Sequence, residues 1–225
     1  MFGVVPAAQT PDVEELLLLT AKAMPEYARF LPTCVTWLVC HERLVAKQRL
    51  AQMAAGIQAP DMSATLGLLL DFARTHTRTA HFNAAIANCH ATNDPKPLFD
   101  VDRTSPAMAR LAKAEACALS RRWGLWTDEP DRKMDAIRPT QWVMGNNPDL
   151  RYRAIFNGNL RASILACLAS DPSCGQSESA LARACGSTRV ALREALDHLE
   201  LCGLVTRKST GWRNVIEAGP NVLVA

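Results

Sequence analysis

Eight cysteines and five histidines are the residues of this 225-residue chain best able to do chemistry. The cysteines are Cys34, Cys40, Cys89, Cys117, Cys167, Cys174, Cys185 and Cys202. No two are spaced as CxxC, and no combination with histidine matches a zinc ribbon, finger or redox motif. Most fall in Ala/Leu-rich helical patterns, where a free thiol behaves as a small hydrophobe. They read as reduced packing residues of a cytoplasmic protein. Cys174, in a Pro–Ser–Cys–Gly loop, is the candidate for an exposed redox-sensing thiol. No nucleophile elbow, phosphate loop, HExxH or dinucleotide fingerprint is present. The expectation is therefore no catalytic residue, no cofactor and no enzyme.

The other chemistry on offer is charge. The chain carries 25 basic and 22 acidic side chains, a formal charge of +3. Residues 1–150 hold 16 of each sign, whereas residues 151–217 hold nine basic and six acidic. The whole excess sits in the last third, which hints at an anionic partner there.

The elements that must position those charges are legible from Asn159 onward. Leu160, Ile164, Leu165 and Leu168 predict an amphipathic helix ending at Ser170–Asp171–Pro172. Ser177 is a good N-cap for a short helix that Gly186 closes with a left-handed turn. A second helix is predicted from Ser187 or Thr188 to Leu201, burying Leu192, Leu196 and Leu199, with Ala195 allowing close approach. Gly203 ends it. Leu204–Val205 start a strand, and residues 206–216 read as two short strands around a basic turn at Gly211. Helix, helix–turn–helix and basic hairpin are the order of a winged helix.

Ser177–Glu178 before Leu181–Ala182, Gly186, Arg189, Arg193–Glu194–Ala195–Leu196, Leu199–Glu200 and Gly203–Leu204–Val205 together resemble the DNA-binding domain of the GntR family of bacterial regulators. The resemblance covers about residues 160–217, and the interval from Gly186 to Gly203 needs no gap. The chain differs in having Val190–Ala191 where the family usually has Thr–Pro. It has one wing glycine instead of two, and the domain is C-terminal rather than N-terminal. The resemblance implies that Arg189 and Arg193 contact bases or the adjacent backbone. An arginine fork on a guanine discriminates by about 1–3 kcal/mol. Ser187, Thr188 and Val190 share the groove-facing start of the recognition helix, about 187–201, where hydroxyls and backbone N–H groups hold phosphates. Arg207, Lys208 and Arg213 on the wing would meet flanking backbone or the minor groove. Trp212 is expected to pack the wing onto its domain.

The first 126 residues read as an all-helical domain for dimerisation or effector binding. Helices are expected after Thr10–Pro11, over 33–52, from Asp61 or Ser63, over 76–90, and from Ser105–Pro106 to near Gly124, with 93–103 a loop. Little alternates with period two, so no sheet is expected. Helical effector domains of many GntR-type proteins hold a metal with Asp and His. Asp71, His76, His81 and His90 do not reproduce that spacing, so no metal is expected, and His41 likewise reads as structural. Trp37, Trp123, Trp126 and Trp142 read as core. Residues 127–158 form a partly packed linker and 218–225 a tail.

The predicted class is thus a mainly α protein with a C-terminal winged helix of three helices and a hairpin. Its expected role is a dimeric, sequence-specific regulator on double-stranded DNA, with a small-molecule effector left open. The alternative is a winged helix used as a protein–protein interaction module. No run approaches the 18 apolar residues a membrane span needs. Residues 1–10 lack the basic start of a secretory signal.

Overall fold

A computed structural model describes residues 12–147, 150–210 and 213–219. The chain is mainly helical, with 64% helix and 13 α-helices among the described residues, and a two-stranded antiparallel sheet near the C-terminus. No helix among those residues is long and apolar enough to cross a membrane. The Thr10–Pro11 cap lies outside the described residues; the helix predicted after it runs Val13–Ala23.

Two compact units are present. One comprises residues 14–42 and 53–137, the other the described parts of 1–13, 43–52 and 138–225. In the first, helix Pro60–Thr77 is buried at every position from Ser63 to Ala73. Helix Phe30–His41 and the short helices Asn83–Ala87 and Ala118–Arg122 pack on it. The Trp123 indole packs against Gly67, where an added Cβ would stand 2.3 Å from the ring. Its Nε1–H donates to Asp71 Oδ2 at 3.0 Å. Trp123 is core, as expected, but Trp142 is exposed.

Several expected boundaries shift. The helix predicted over 33–52 breaks into Phe30–His41, a 3₁₀ turn at Glu42–Leu44 and helix Lys47–Ala55. The break falls where the chain passes from one unit to the other, between residues 42 and 43. Helix Pro60–Thr77 stops because Arg78 adopts a left-handed φ of 56°, so only Asn83–Ala87 of the stretch 76–90 starts again. The helix opened by Ser105 is interrupted at Ala116–Cys117, where Cys117 N–H donates to Thr127 O at 3.0 Å. Cys117 Sγ then caps Ala118–Arg122.

The expectation of an all-helical first domain needs correction. Lys96–Pro97 pairs in parallel with Leu125–Trp126, and helix Asp100–Arg103 follows in the stretch expected to be loop. A pair of two-residue strands is too short to show alternation, which is why the sequence concealed it.

In the second unit, helix Leu160–Ser170 is not amphipathic as expected: every residue from Ala162 to Leu168 is buried. It lies among helices Leu150–Ile155, Glu178–Ala184 and Arg189–Leu201 and the strand Arg213–Ala218. A helix covered on all sides needs no polar face. Its core partners include Tyr152, Leu181, Leu192, Leu196, Leu199, Val205 and Ile216. Residues 138–158, read as linker, supply helices Thr140–Asn146 and Leu150–Ile155 to this unit. Segment 43–52 is bound to it by backbone: Lys47 N–H donates to Gly158 O at 3.0 Å, and Arg153 Nη1 to Leu44 O at 3.1 Å. The strands Val205–Thr210 and Arg213–Ala218 pair from Val205↔Ala218 to Thr210↔Arg213. A 3₁₀ turn, Pro172–Gln176, passes so close beneath them that a Cβ on Gly175 would stand 2.1 Å from Ile216 O.

Candidate nucleic-acid interface

Helices Glu178–Ala184 and Arg189–Leu201 are joined by a four-residue turn. Ser177 Oγ accepts from Ala180 N at 3.1 Å to start the first. Gly186, with φ of 64°, reverses the chain, and Ser187 N–H donates back to Ala182 O at 2.9 Å. That conformation costs an ordinary L-residue about 1–2 kcal/mol. Gly186 is also closely packed, since a Cβ there would lie 3.0 Å from Gln48 O. Thr188 Oγ1 accepts from Ala191 N at 3.2 Å and caps the second helix.

That helix buries Leu192, Ala195, Leu196 and Leu199. Its outward face begins with Arg189, Val190 and Arg193 and continues with Glu194, Asp197, Glu200 and Leu201, all exposed. Its first turn has no acidic residue, and Arg189 stands at the first helical position. A cation there faces the positive end of the helix dipole, an unfavourable placement unless an anion is to be bound.

The candidate residues fare differently. Among the described residues Arg189 has no ion pair, and Val190 is 68% exposed beside it. Arg193 Nε bonds Glu178 Oε2 at 2.7 Å, with the arginine side chain 61% exposed, and no bond to its two terminal nitrogens is seen among the described residues. Ser187 Oγ, expected to hold phosphate, is enclosed and makes no hydrogen bond among the described residues. Thr188 is exposed but engaged as the cap.

On the hairpin, Arg207 is turned toward the helix: Nε meets Glu200 Oε2 at 2.9 Å and Nη2 meets Asp197 Oδ1 at 2.6 Å. The hydrogen bond from Arg207 holds the Glu200 carboxyl below its ordinary range and raises the arginine in turn. Lys208 Nζ bonds Glu217 Oε2 on the neighbouring strand at 2.6 Å. Arg213 opens the second strand opposite Thr210. Gly211 and Trp212 lie outside the described residues.

Sequence reasoning missed the acids that claim these cations. Asp197 and Glu200, three apart on one helix face, were a usable signal for a cation clamp. Glu178 and Arg193, 15 positions apart, offered none.

It also missed what the thiols and Asp71 do. Asp71 is fully buried and receives Arg74, Arg122 and the Trp123 indole, so it is spoken for within its own unit. His76 faces Glu129 at 3.8 Å. No group of three or more His, Cys, Asp or Glu among the described residues is arranged to hold a metal ion. Cys174, expected to be exposed, is buried at 8% because the 3₁₀ turn folds under the strand; Cys202 is the exposed thiol. Desolvation pushes Cys34 up to about 12 and Cys89 to about 11, keeping both protonated.

No protein-family model, curated protein or solved structure matches the chain.

Proposed function

We propose that this protein is a sequence-specific double-stranded DNA-binding regulator of the winged-helix class, reading a major groove with the helix Arg189–Leu201. The observation that carries this reading is the exposed Arg189–Val190–Arg193 face. It lies at the start of a helix with no acid in its first turn, directly after a tight left-handed turn. The antiparallel hairpin that follows supplies the wing. The resemblance of residues 160–217 to the GntR DNA-binding domain points the same way.

One such module neutralises few phosphates, so a dimer on a pseudo-palindromic site is the natural arrangement. The helical first unit would provide dimerisation and any effector site. The protein would act without catalysis, in the cytoplasm.

A second reading has its own support. Arg193, Arg207 and Lys208 are each paired with acids of the same unit, while Val190 and Leu201 stand 68% and 86% exposed. Such a face would also suit docking to another protein. Selection of bound duplexes from random DNA separates the two. Enrichment of a two-fold symmetric motif supports the regulator. No enrichment, and no retention of duplex at low salt by folded protein, supports the docking module.

A further inference from the structure

Three thiols meet in the core of the second unit. Cys185 Sγ donates to Cys167 Sγ across 3.6 Å, and the Cys174 thiol lies near enough to act on the same sulfur. Arg49 Nη1 approaches Cys167 Sγ to 3.7 Å from the segment 43–52, and the same guanidinium pairs with Asp12. A thiol donor and a guanidinium on one sulfur both favour its thiolate form. Cys167 is accordingly held well below the ordinary thiol range, first by the bond from Cys174, then by that from Cys185, with the Arg49 charge adding to both. Cys174 and Cys185 are pushed up, chiefly because they donate to Cys167. The arginine also makes the place unsuitable for a metal cation, which it would repel.

The arrangement is notable for where its members sit. Cys167 belongs to the buried helix Leu160–Ser170. Cys185 is the residue immediately before Gly186, where the chain turns toward Arg189. Cys174 sits in the 3₁₀ turn and keeps 8% exposure, against 2% for Cys167 and none for Cys185.

We propose that Cys167 and Cys185 form a peroxide-sensitive dithiol whose oxidation to a disulfide displaces the turn at Gly186 and weakens DNA binding by the helix behind it. The regulatory half of this proposal rests on the DNA-binding reading above; the thiol chemistry does not. In the first step the Cys167 thiolate bonds to one oxygen of a hydroperoxide as the O–O bond breaks. Hydroxide or alkoxide leaves and takes up the proton that Cys167 had given to solvent. In the second step Cys185 loses its proton and attacks the sulfenyl sulfur, and the S–O bond breaks with the oxygen departing as water. Two thiols are oxidised and one peroxide is reduced. Closing the pair from 3.6 Å to a disulfide moves the sulfurs together by about 1.5 Å. Cys185 carries that movement into the turn at Gly186, which packs against Gln48 and Gln52.

The test treats the full-length chain with equimolar hydrogen peroxide. The expected result is a mass lower by two hydrogens, a peptide joining Cys167 to Cys185, and reversal by dithiothreitol. A link from Cys167 to Cys174, or oxidation confined to Cys202, overturns the proposal. Binding to a selected duplex should fall by about tenfold or more on oxidation and recover on reduction. Cys185→Ala should bind that duplex equally with and without peroxide. Equal binding by reduced and disulfide forms of the parent chain also overturns the switch. If the disulfide forms but neither form binds any duplex, the dithiol stands and the DNA-binding reading is what fails.

Discussion

Arg193 Nε and Glu178 Oε2 lie 2.7 Å apart, joining the second helix of the pair to the first turn of the helix before it. The bond ties the two helices together at their exposed side and leaves most of the arginine side chain open to solvent. It also leaves a carboxylate beside the surface proposed to face the groove, where it would oppose a phosphate.

Glu178→Gln should keep a hydrogen bond to Arg193 while removing that charge. Affinity for arbitrary duplex DNA at low salt is expected to rise by about two- to fivefold, the worth of an exposed charge pair. Fluorescence anisotropy reads this directly. An unchanged or lower affinity would mean that Glu178 faces no phosphate.

Arg207 is expected to be structural more than DNA-contacting, because Glu200 and Asp197 hold it. Arg207→Gln should lower stability by about 0.5–1 kcal/mol in urea unfolding, a small effect because the pair is partly exposed. The pH dependence follows from Glu200. A carboxyl held below its unfolded value near 4.3 stabilises the fold above that pH, and the contribution disappears as pH falls through the lower folded value. The parent should therefore lose its advantage over Arg207→Gln on acidification below about pH 4. A difference that persists undiminished to about pH 2 would contradict this assignment.

Asp71 is fully buried with Arg74, Arg122 and the Trp123 indole around it. Asp71→Ala removes hydrogen bonds to a charged group and should cost about 2–3 kcal/mol. Tryptophan fluorescence during unfolding gives both the stability and the environment of Trp123. A loss below about 0.5 kcal/mol, the usual scale of a surface substitution, would show that the cluster is not structural.

Gly186→Ala places a Cβ on a residue with φ of 64° and 3.0 Å from Gln48 O. The expected loss is about 1–2 kcal/mol from the left-handed backbone alone, with DNA binding impaired through the displaced turn. Thermal unfolding unchanged from the parent would contradict the requirement for glycine there.

The last third of the chain was legible because its signals are local. Ser177 as cap, Gly186 as left-handed turn and the Leu192–Leu196–Leu199 stripe each lie within one or two turns of what they control. The first 126 residues were less so. Their helices stop where distant partners intervene, as Cys117 does for Thr127 O, and a two-residue strand pair has no periodicity to find. Helix Leu160–Ser170 misled for a related reason: Ala162, Ser163 and Ala166 look like a polar or neutral face until neighbours bury them. For the candidate site, residue types and the helix face could be read from the chain. The pairing of Arg193, Arg207 and Lys208 with acids could not, because each acid is brought in by tertiary packing or strand pairing.

The central claim is that Arg189 and Arg193 read a DNA groove. The most direct measurement is a salt titration of binding to a selected duplex by the parent, Arg189→Ala, Arg193→Ala and Lys208→Ala. The parent should bind tightly at about 50 mM salt and weaken steeply as salt rises, with a linear log–log slope set by the phosphates it neutralises. Each arginine variant should lose about 5- to 150-fold on the selected site, the scale of one good base contact, and the lysine variant distinctly less. Binding by both arginine variants equal to the parent's on selected and random duplexes alike would contradict the account.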